Sequence, residues 1–195
     1  MSRWLSEAKA IDSAIYGAIA ASDTPRLDNA MRRLSRAADH GKLWFATATV
    51  SALLGGSSGR LAARNGLVSL GVASAFANLV AKPLSARRRP ARKEAEELAS
   101  RHVQMPRSSS FPSGHAASAF AFATGAANVQ PMLAAPLRAL ATLVGYSRVH
   151  TGVHYPADVL AGAFIGVSAA ELVGHLLNAP GGTRTRAARL KRPPL

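Results

Sequence analysis

LWFATATVSALLGG, residues 43–56, carries no charge, and a second uncharged run, GLVSLGVASAFANLVA, occupies residues 66–81. Three more follow: one from His115 as far as Val129, one over residues 132–146 broken only by Arg138, and one over residues 159–178 with Glu171 and His175 near its end. Each is somewhat shorter than the roughly 20 residues of a standard span, a length that buried core helices also have. Their wealth of Ala, Gly, Ser and Thr suits close helix packing in lipid. Together they leave too little amphipathic helix to wrap a soluble core. The expected fold is therefore all-α, a membrane helical bundle of about five transmembrane helices.

Outside these runs the pattern changes. Leu5, Ala8, Ile11, Ile15 and Ile19 recur at spacings of three or four, which predicts an amphipathic helix over residues 4–21, lying at an interface rather than spanning it. Thr24 before Pro25 signals the start of a second short helix, with Leu27, Met31 and Leu34 on one face. The chain thus divides into N-terminal interfacial helices (1–42), a transmembrane domain (43–178) and a basic tail (179–195) without a predicted fold. Residues 57–65 read as a short basic loop and residues 128–131 as a tight turn. The long connection over residues 82–112 is basic and polar, with a short helix expected around 94–101 and a Ser-rich end.

Composition narrows the partners. The net charge of +14 favours polyanions, which admits nucleic acid and anionic lipid alike. Aromatic residues make up only 6% and do not interleave with basic ones as a base-stacking platform requires, so nucleic acid is not an expected partner. The basic residues cluster at helix junctions and in the tail, where they read as a positive-inside signal and a contact for lipid headgroups. The absence of cysteine excludes disulfides, thiolate metal sites and cysteine catalysis. The first residues mix Glu7, Lys9 and Asp12 into apolar positions, so a cleavable signal peptide is not expected.

If the apolar helices alternate in direction, the chain near Lys82, near Ser113 and over residues 148–154 meets at one membrane face. Three clusters sit there. The first, residues 82–90, reads KPLSARRRP. The second, FPSGHA over residues 111–116, leads into an apolar helix; its Ser113 is an ordinary helix cap, and its backbone N–H groups at a positive helix end also form a phosphate cradle. The third holds Ser147 and Arg148, then His154 and Asp158, four apart and so on one helix face, where the carboxylate can orient the imidazole. Jointly they supply a nucleophile with an orienting partner, a second histidine for proton transfer and several fixed cations, which is what phosphoryl transfer needs. No metal ligand set is expected, because the acidic residues show no cluster suited to Mg²⁺, and no cofactor is implied.

The pattern Lys-x6-Arg-Pro, Pro-Ser-Gly-His, Ser-Arg-x5-His-x3-Asp, complete and in order from Lys82 to Asp158, resembles the signature of the type-2 phosphatidic acid phosphatase superfamily. That group includes lipid phosphate phosphatases, undecaprenyl-diphosphate phosphatases and vanadium-dependent haloperoxidases. The resemblance implies that His154 attacks phosphorus to form a phosphohistidine, with Asp158 on its far nitrogen, and that His115 protonates the leaving alkoxide. It implies Lys82, Arg89 and Arg148 as phosphate ligands, with Ser113 and the Gly114 N–H adding hydrogen bonds. The implied substrate is a phosphomonoester or diphosphate of a membrane lipid, of phosphatidic acid or polyprenyl phosphate type, met at the extracytoplasmic face with the tail in the cytoplasm. A haloperoxidase or an inactive scaffold of the same fold are the competing readings; the apolar runs oppose the first and the intact histidines the second. Membrane members usually have six spans, one more than counted here. His150, where an aromatic is common, reads as a loop residue at the site mouth, Arg87 and Arg88 as solvated, and Glu171 as pairing with a base at the far membrane surface. His40, His102 and His175 read as structural or solvated.

Overall fold

The computed structural model describes residues 3–91 and 101–178. Among them run seven α-helices: α1 (Arg3–Ala20), α2 (Pro25–Ala37), α3 (Lys42–Leu54), α4 (Gly56–Ala75), α5 (Gly114–Ala127), α6 (Ala134–His150) and α7 (Pro156–Asn178). The body of each apolar run lies in one of the last five, and the Thr24–Pro25 signal opens α2 as expected. The turn at 128–131 is present and passes into a short 3₁₀ helix, Pro131–Leu133. The expected helix at 94–101, Arg101 apart, and the tail from residue 179 lie outside the described residues.

One expected loop is helix instead. Residues 57–65 belong to α4, which starts directly behind α3. The reversal is confined to Gly55 and Gly56, and Gly56 takes φ +60°, a left-handed conformation that costs glycine least. Arg60 and Arg64 made the segment look like a loop. They lie four apart on the exposed face of α4, while Gly59, Ala62, Ala63 and Asn65 are buried on the other.

α5 stands at the centre, packed against α4, α6 and α7, and nearly all of it is buried. Small residues fill this interior: Ala62, Ala73, Ala77, Ala117, Ala121 and Ala123 are almost or wholly inaccessible, with Trp44 and Phe122 as its large anchors at 5.3 Å between ring centroids. The large aliphatic and aromatic side chains point outward. Leu53, Leu79, Leu160, Phe164, Met132 and Leu176 are each more than two-thirds exposed. One helix among the described residues, Pro156–Leu177, is both long and apolar enough to cross a bilayer. The other apolar helices are short of that measure: α3 has 13 residues and α5 has 14, about 20 Å of rise each.

Glycine permits the closest of these contacts. A Cβ on Gly166 of α7 would lie 2.4 Å from the Ala117 carbonyl oxygen and 2.8 Å from the Ala121 nitrogen, both backbone atoms of α5. Gly166→Ala must therefore push the two helices apart. It is expected to cost about 1–3 kcal/mol, as overpacking does elsewhere, read as a lowered unfolding midpoint in detergent. An unchanged midpoint would mean that the α5–α7 contact yields without cost.

The helix directions bring the ends of α4 and α6 and the starts of α3, α5 and α7 to one end of the bundle. α1 and α2 pack at this same end through α6 and α7. α1 is unusual there: Trp4, Ile11 and Ile15 are exposed, and its one buried residue is Asp12.

Candidate active site

The end of α4 is rewound. From Phe76 to Ala81 the helix is a π-helix, closed by the Lys82 N–H bonding back to the Ala77 carbonyl at 3.0 Å. The wider turn places Lys82 beside Asn78, whose Oδ1 accepts from Nζ at 2.7 Å, while Asn78 Nδ2 donates to the Ser74 carbonyl at 2.8 Å. π-turns inside α-helices recur at functional sites for this reason, since they re-aim one side chain. Burial, helped by Arg89 and Arg148, holds the Lys82 ammonium below its ordinary pKa.

A cavity of about 490 Å³ opens at this end of the bundle, and its wall includes Lys82, Arg89, Gly114, His115, Arg148 and His154. Six of the eight residues singled out from the sequence thus meet on one surface. Arg89 is fixed by hydrogen bonds to the Ser108 carbonyl (3.0 Å), the Ser109 carbonyl (3.1 Å) and the Val153 carbonyl (2.8 Å). Its Nη1 stands 3.4 Å from His154 Nε2. Arg148, buried at the end of α6, donates to the Ser35 hydroxyl and lies 3.6 Å from Asp39 Oδ1.

The other two lie behind the wall. Ser113 is fully buried; its Oγ accepts from the Ala116 N–H at 3.4 Å as the cap of α5, and its own N–H donates to the Asp158 carbonyl at 2.9 Å. Its hydroxyl is thus turned to the helix end, and Gly114 is the residue of this motif that faces the cavity beside His115. A Cβ on Gly114 would lie 3.3 Å from Lys82 Nζ, which shows how near the helix start comes to the cation. Asp158 is wholly buried, one helical turn from His154, with Oδ2 at 3.5 Å from Nδ1. That distance is long for a hydrogen bond, and the same oxygen already accepts from the Ser110 hydroxyl and from the Tyr155 N–H at 2.9 Å. Burial is the main force on His154, reinforced by Arg89 and Arg148 and opposed by Asp158, and it depresses the imidazole pKa to about 4. The ring is therefore neutral near pH 7. With Nδ1 turned to Asp158, the fitting tautomer leaves Nε2 unprotonated, its lone pair facing Arg89 Nη1.

Several residues of this site were not singled out in the sequence. Asp39, between α2 and α3, accepts from His115 Nε2 at 2.9 Å, and that bond, with help from Arg148, lowers its pKa against the opposing effect of burial. Arg87, expected to be solvated, bridges two aspartates: Nη1 donates to Asp158 Oδ1 at 2.8 Å and Nη2 donates to Asp12 Oδ2, with the guanidinium 4.4 Å above the Tyr155 ring. Asp12 also accepts from the Ala157 N–H at 2.8 Å and so caps the start of α7 from a different helix. His150 is not a loop residue at the site mouth. It ends α6, is buried, and meets Asp28 Oδ1 at 2.7 Å, where buried Arg101 also approaches at 3.3 Å. Glu171 accepts from Asn128 Nδ2 at 3.5 Å rather than from a base among the described residues. One signal was available: the chain has 10 acidic residues against 24 Lys and Arg. Asp12, Asp28, Asp39 and Asp158, four of its five aspartates, all pair with Arg or His at this end.

The arrangement offers a neutral, buried imidazole nitrogen among three cations, and a second histidine lining the same cavity. A tetrahedral oxyanion fits that chemistry. The fold is similar to a transmembrane PAP2 type phosphatidylglycerolphosphate phosphatase from Bacillus subtilis, with a TM-score of 0.68 and 24% identity over 91% of this chain and 90% of the other. It is also similar to LpxE of Aquifex aeolicus, with a TM-score of 0.65 and 23% identity over 82% of this chain and 92% of that one. At such identities the likeness concerns the fold. The sequence itself carries the family: residues 62–179 match the model of the PAP2 superfamily, and the chain belongs to that superfamily.

Proposed function

We propose that this chain is a membrane-embedded lipid phosphate phosphatase that works through a phosphohistidine on His154 and needs no metal ion. The observation that carries it is the placement of His154 Nε2 in the cavity, 3.4 Å from Arg89 Nη1 and on one wall with Lys82, Arg148 and His115. The phosphate of the lipid would sit among Lys82, Arg89, Arg148 and the Gly114 backbone. The Nε2 lone pair attacks phosphorus in line with the lipid oxygen, the P–O bond breaks, and His115 gives its proton to the leaving alkoxide. In the second half His115 takes a proton from water as the water oxygen attacks phosphorus, and the P–N bond breaks to free His154 and phosphate. Fixed cations around the transferring group stabilise its charge; removal of one donor from such a set typically costs about 3 kcal/mol.

Membrane embedding is supported by the inverted distribution of side chains, with alanine inside and Leu and Phe outside over helices α3 to α7. α1, with Trp4, Ile11 and Ile15 exposed, suits the interface beside the cavity. The far end of the bundle carries Arg60 and Arg64, and the basic tail follows α7 in the sequence at that end. Placing that end in the cytoplasm puts the cavity at the extracytoplasmic face. Phosphate release from phosphatidic acid, phosphatidylglycerophosphate and polyprenyl mono- and diphosphates in detergent, with and without EDTA, tests this reading. Release from none of them would sink it, and loss in EDTA restored by Mg²⁺ would overturn the metal-free mechanism.

The neutral ring also sets a pH dependence. The reacting form of His154 has lost its proton, so activity falls as pH drops through its pKa, and that pKa lies at about 4 rather than 6.5. The acid limb of kcat/KM should then follow the phosphate ionisation of the substrate, near 6 for a monoester, and move when substrates of different phosphate pKa are compared. A limb fixed near 6.5 across such a series would show an ordinary histidine.

A further inference from the structure

Beside the catalytic cavity lies a second depression, of about 380 Å³, between residues 86–89 and residues 105–109. The two share Arg89 and Pro106. Arg89 thus lines both, and its Nη1 stands 3.4 Å from His154 Nε2. Four arginines line it, and they divide by what they already hold. Arg87 is committed to Asp12 and Asp158, and Arg89 to the loop carbonyls and the site. Arg88 and Arg107 are exposed, and neither has a hydrogen bond or ion pair among the described residues. No carboxylate is present on this wall among those residues, although Asp12 and Asp158 lie one arginine away. The Ser108 and Ser109 carbonyls on this wall accept from Arg89. What remains open is donor capacity: two guanidinium forks, the group best matched to phosphate oxygens.

We propose that this depression is a second anion subsite, formed by Arg88 and Arg107, which takes a phosphate-type group while another phosphate lies at His154. This deepens the phosphatase reading and rests on it. The substrate class that fits is a lipid with two phosphate-type anions in its headgroup, either a diphosphate or a phosphomonoester joined to a phosphodiester. The shared Arg89 favours one molecule as the source, since a headgroup with two anions can touch both depressions where they meet. The phosphate of a neighbouring anionic lipid has the same chemistry and reaches the same two arginines.

Binding of inorganic pyrophosphate and inorganic phosphate to the full chain in neutral detergent, followed by calorimetry, tests the subsite without turnover. Wild type should bind pyrophosphate at least about tenfold more tightly than phosphate. The Arg88→Gln/Arg107→Gln variant should lose most of that preference, and Arg88→Lys/Arg107→Lys should regain part of it. Equal preference in all three overturns the proposal. The source is separated by turnover. If it is the substrate, the ratio of kcat/KM for a polyprenyl diphosphate over the matching monophosphate falls in the Gln variant. If it is a neighbouring lipid, added phosphatidylglycerol raises wild-type monophosphate turnover and leaves the Gln variant unmoved. Either result supports the subsite. Pyrophosphate preference that depends on the two arginines, with no hydrolysis of any lipid, would instead keep the subsite and sink the phosphatase reading.

Discussion

His154→Ala is expected to abolish phosphate release from every lipid the wild type accepts, by at least about a thousandfold, because in the proposed mechanism the group removed makes and breaks the bond to phosphorus. The remaining cations can still gather a phosphate, so binding of inorganic phosphate should survive within a fewfold. This separation matters, since a damaged pocket would lose both. A second readout concerns the intermediate: wild type quenched in base during turnover of a ³²P-labelled lipid should retain label on the protein, stable to base and released by acid. His154→Ala should retain none. His154 is buried, but it occupies the α6–α7 connection rather than a helix interior, and its ring touches the site rather than the alanine core. The variant should therefore fold. Phosphate release at a wild-type rate, or labelled protein in the variant, would place the nucleophile elsewhere.

The place of His154, the proposed nucleophile, was legible in the sequence for a simple reason. Short helices that alternate in direction bring every second junction to the same end, so counting apolar runs was enough to gather Lys82, His115, Arg148 and His154. The polar residues of the motifs lie at those junctions and are close to them in sequence. Two kinds of feature escaped. Hydropathy averaged along the chain registers Arg60 and Arg64 as a break, because it does not see that both face away from Ala62 and Ala63 on one continuous helix. Pairings across the chain escaped too. Asp12 and Arg87 are 75 positions apart, and Arg87 and Asp158 are 71 apart. Nothing local separates Arg87 from Arg88, its neighbour in the same basic run; only the fold commits one to two aspartates and leaves the other in solvent. Asp12 is equally unmarked, one of several polar residues on a helix whose Trp4, Ile11 and Ile15 face outward.

Removing Arg87 is therefore the second change from which a large effect is expected. Its guanidinium stands between two buried carboxylates, and one of them, Asp158, approaches His154. Arg87→Gln leaves both acids without their cation, and loss of one partner from such a pair typically costs about 3–5 kcal/mol; partial exposure of Arg87 argues for the lower end. Asp158 also loses the donor on Oδ1 that fixes its orientation, so kcat should fall about a hundredfold while KM moves little. Adding Asp12→Asn to Arg87→Gln discriminates between a structural and a positioning role. The amide oxygen of the substituted side chain can still accept from the Ala157 N–H, and the double variant buries one uncompensated charge fewer, so its unfolding midpoint should recover part of the way to wild type. Its kcat should not recover, because Asp158 still lacks its cation. Losses of midpoint that simply add would show that Asp12 and Arg87 are not coupled as the geometry indicates. Recovery of kcat together with the midpoint would mean that Arg87 acts on stability alone and that Ser110 and the Tyr155 N–H suffice to hold Asp158 in place.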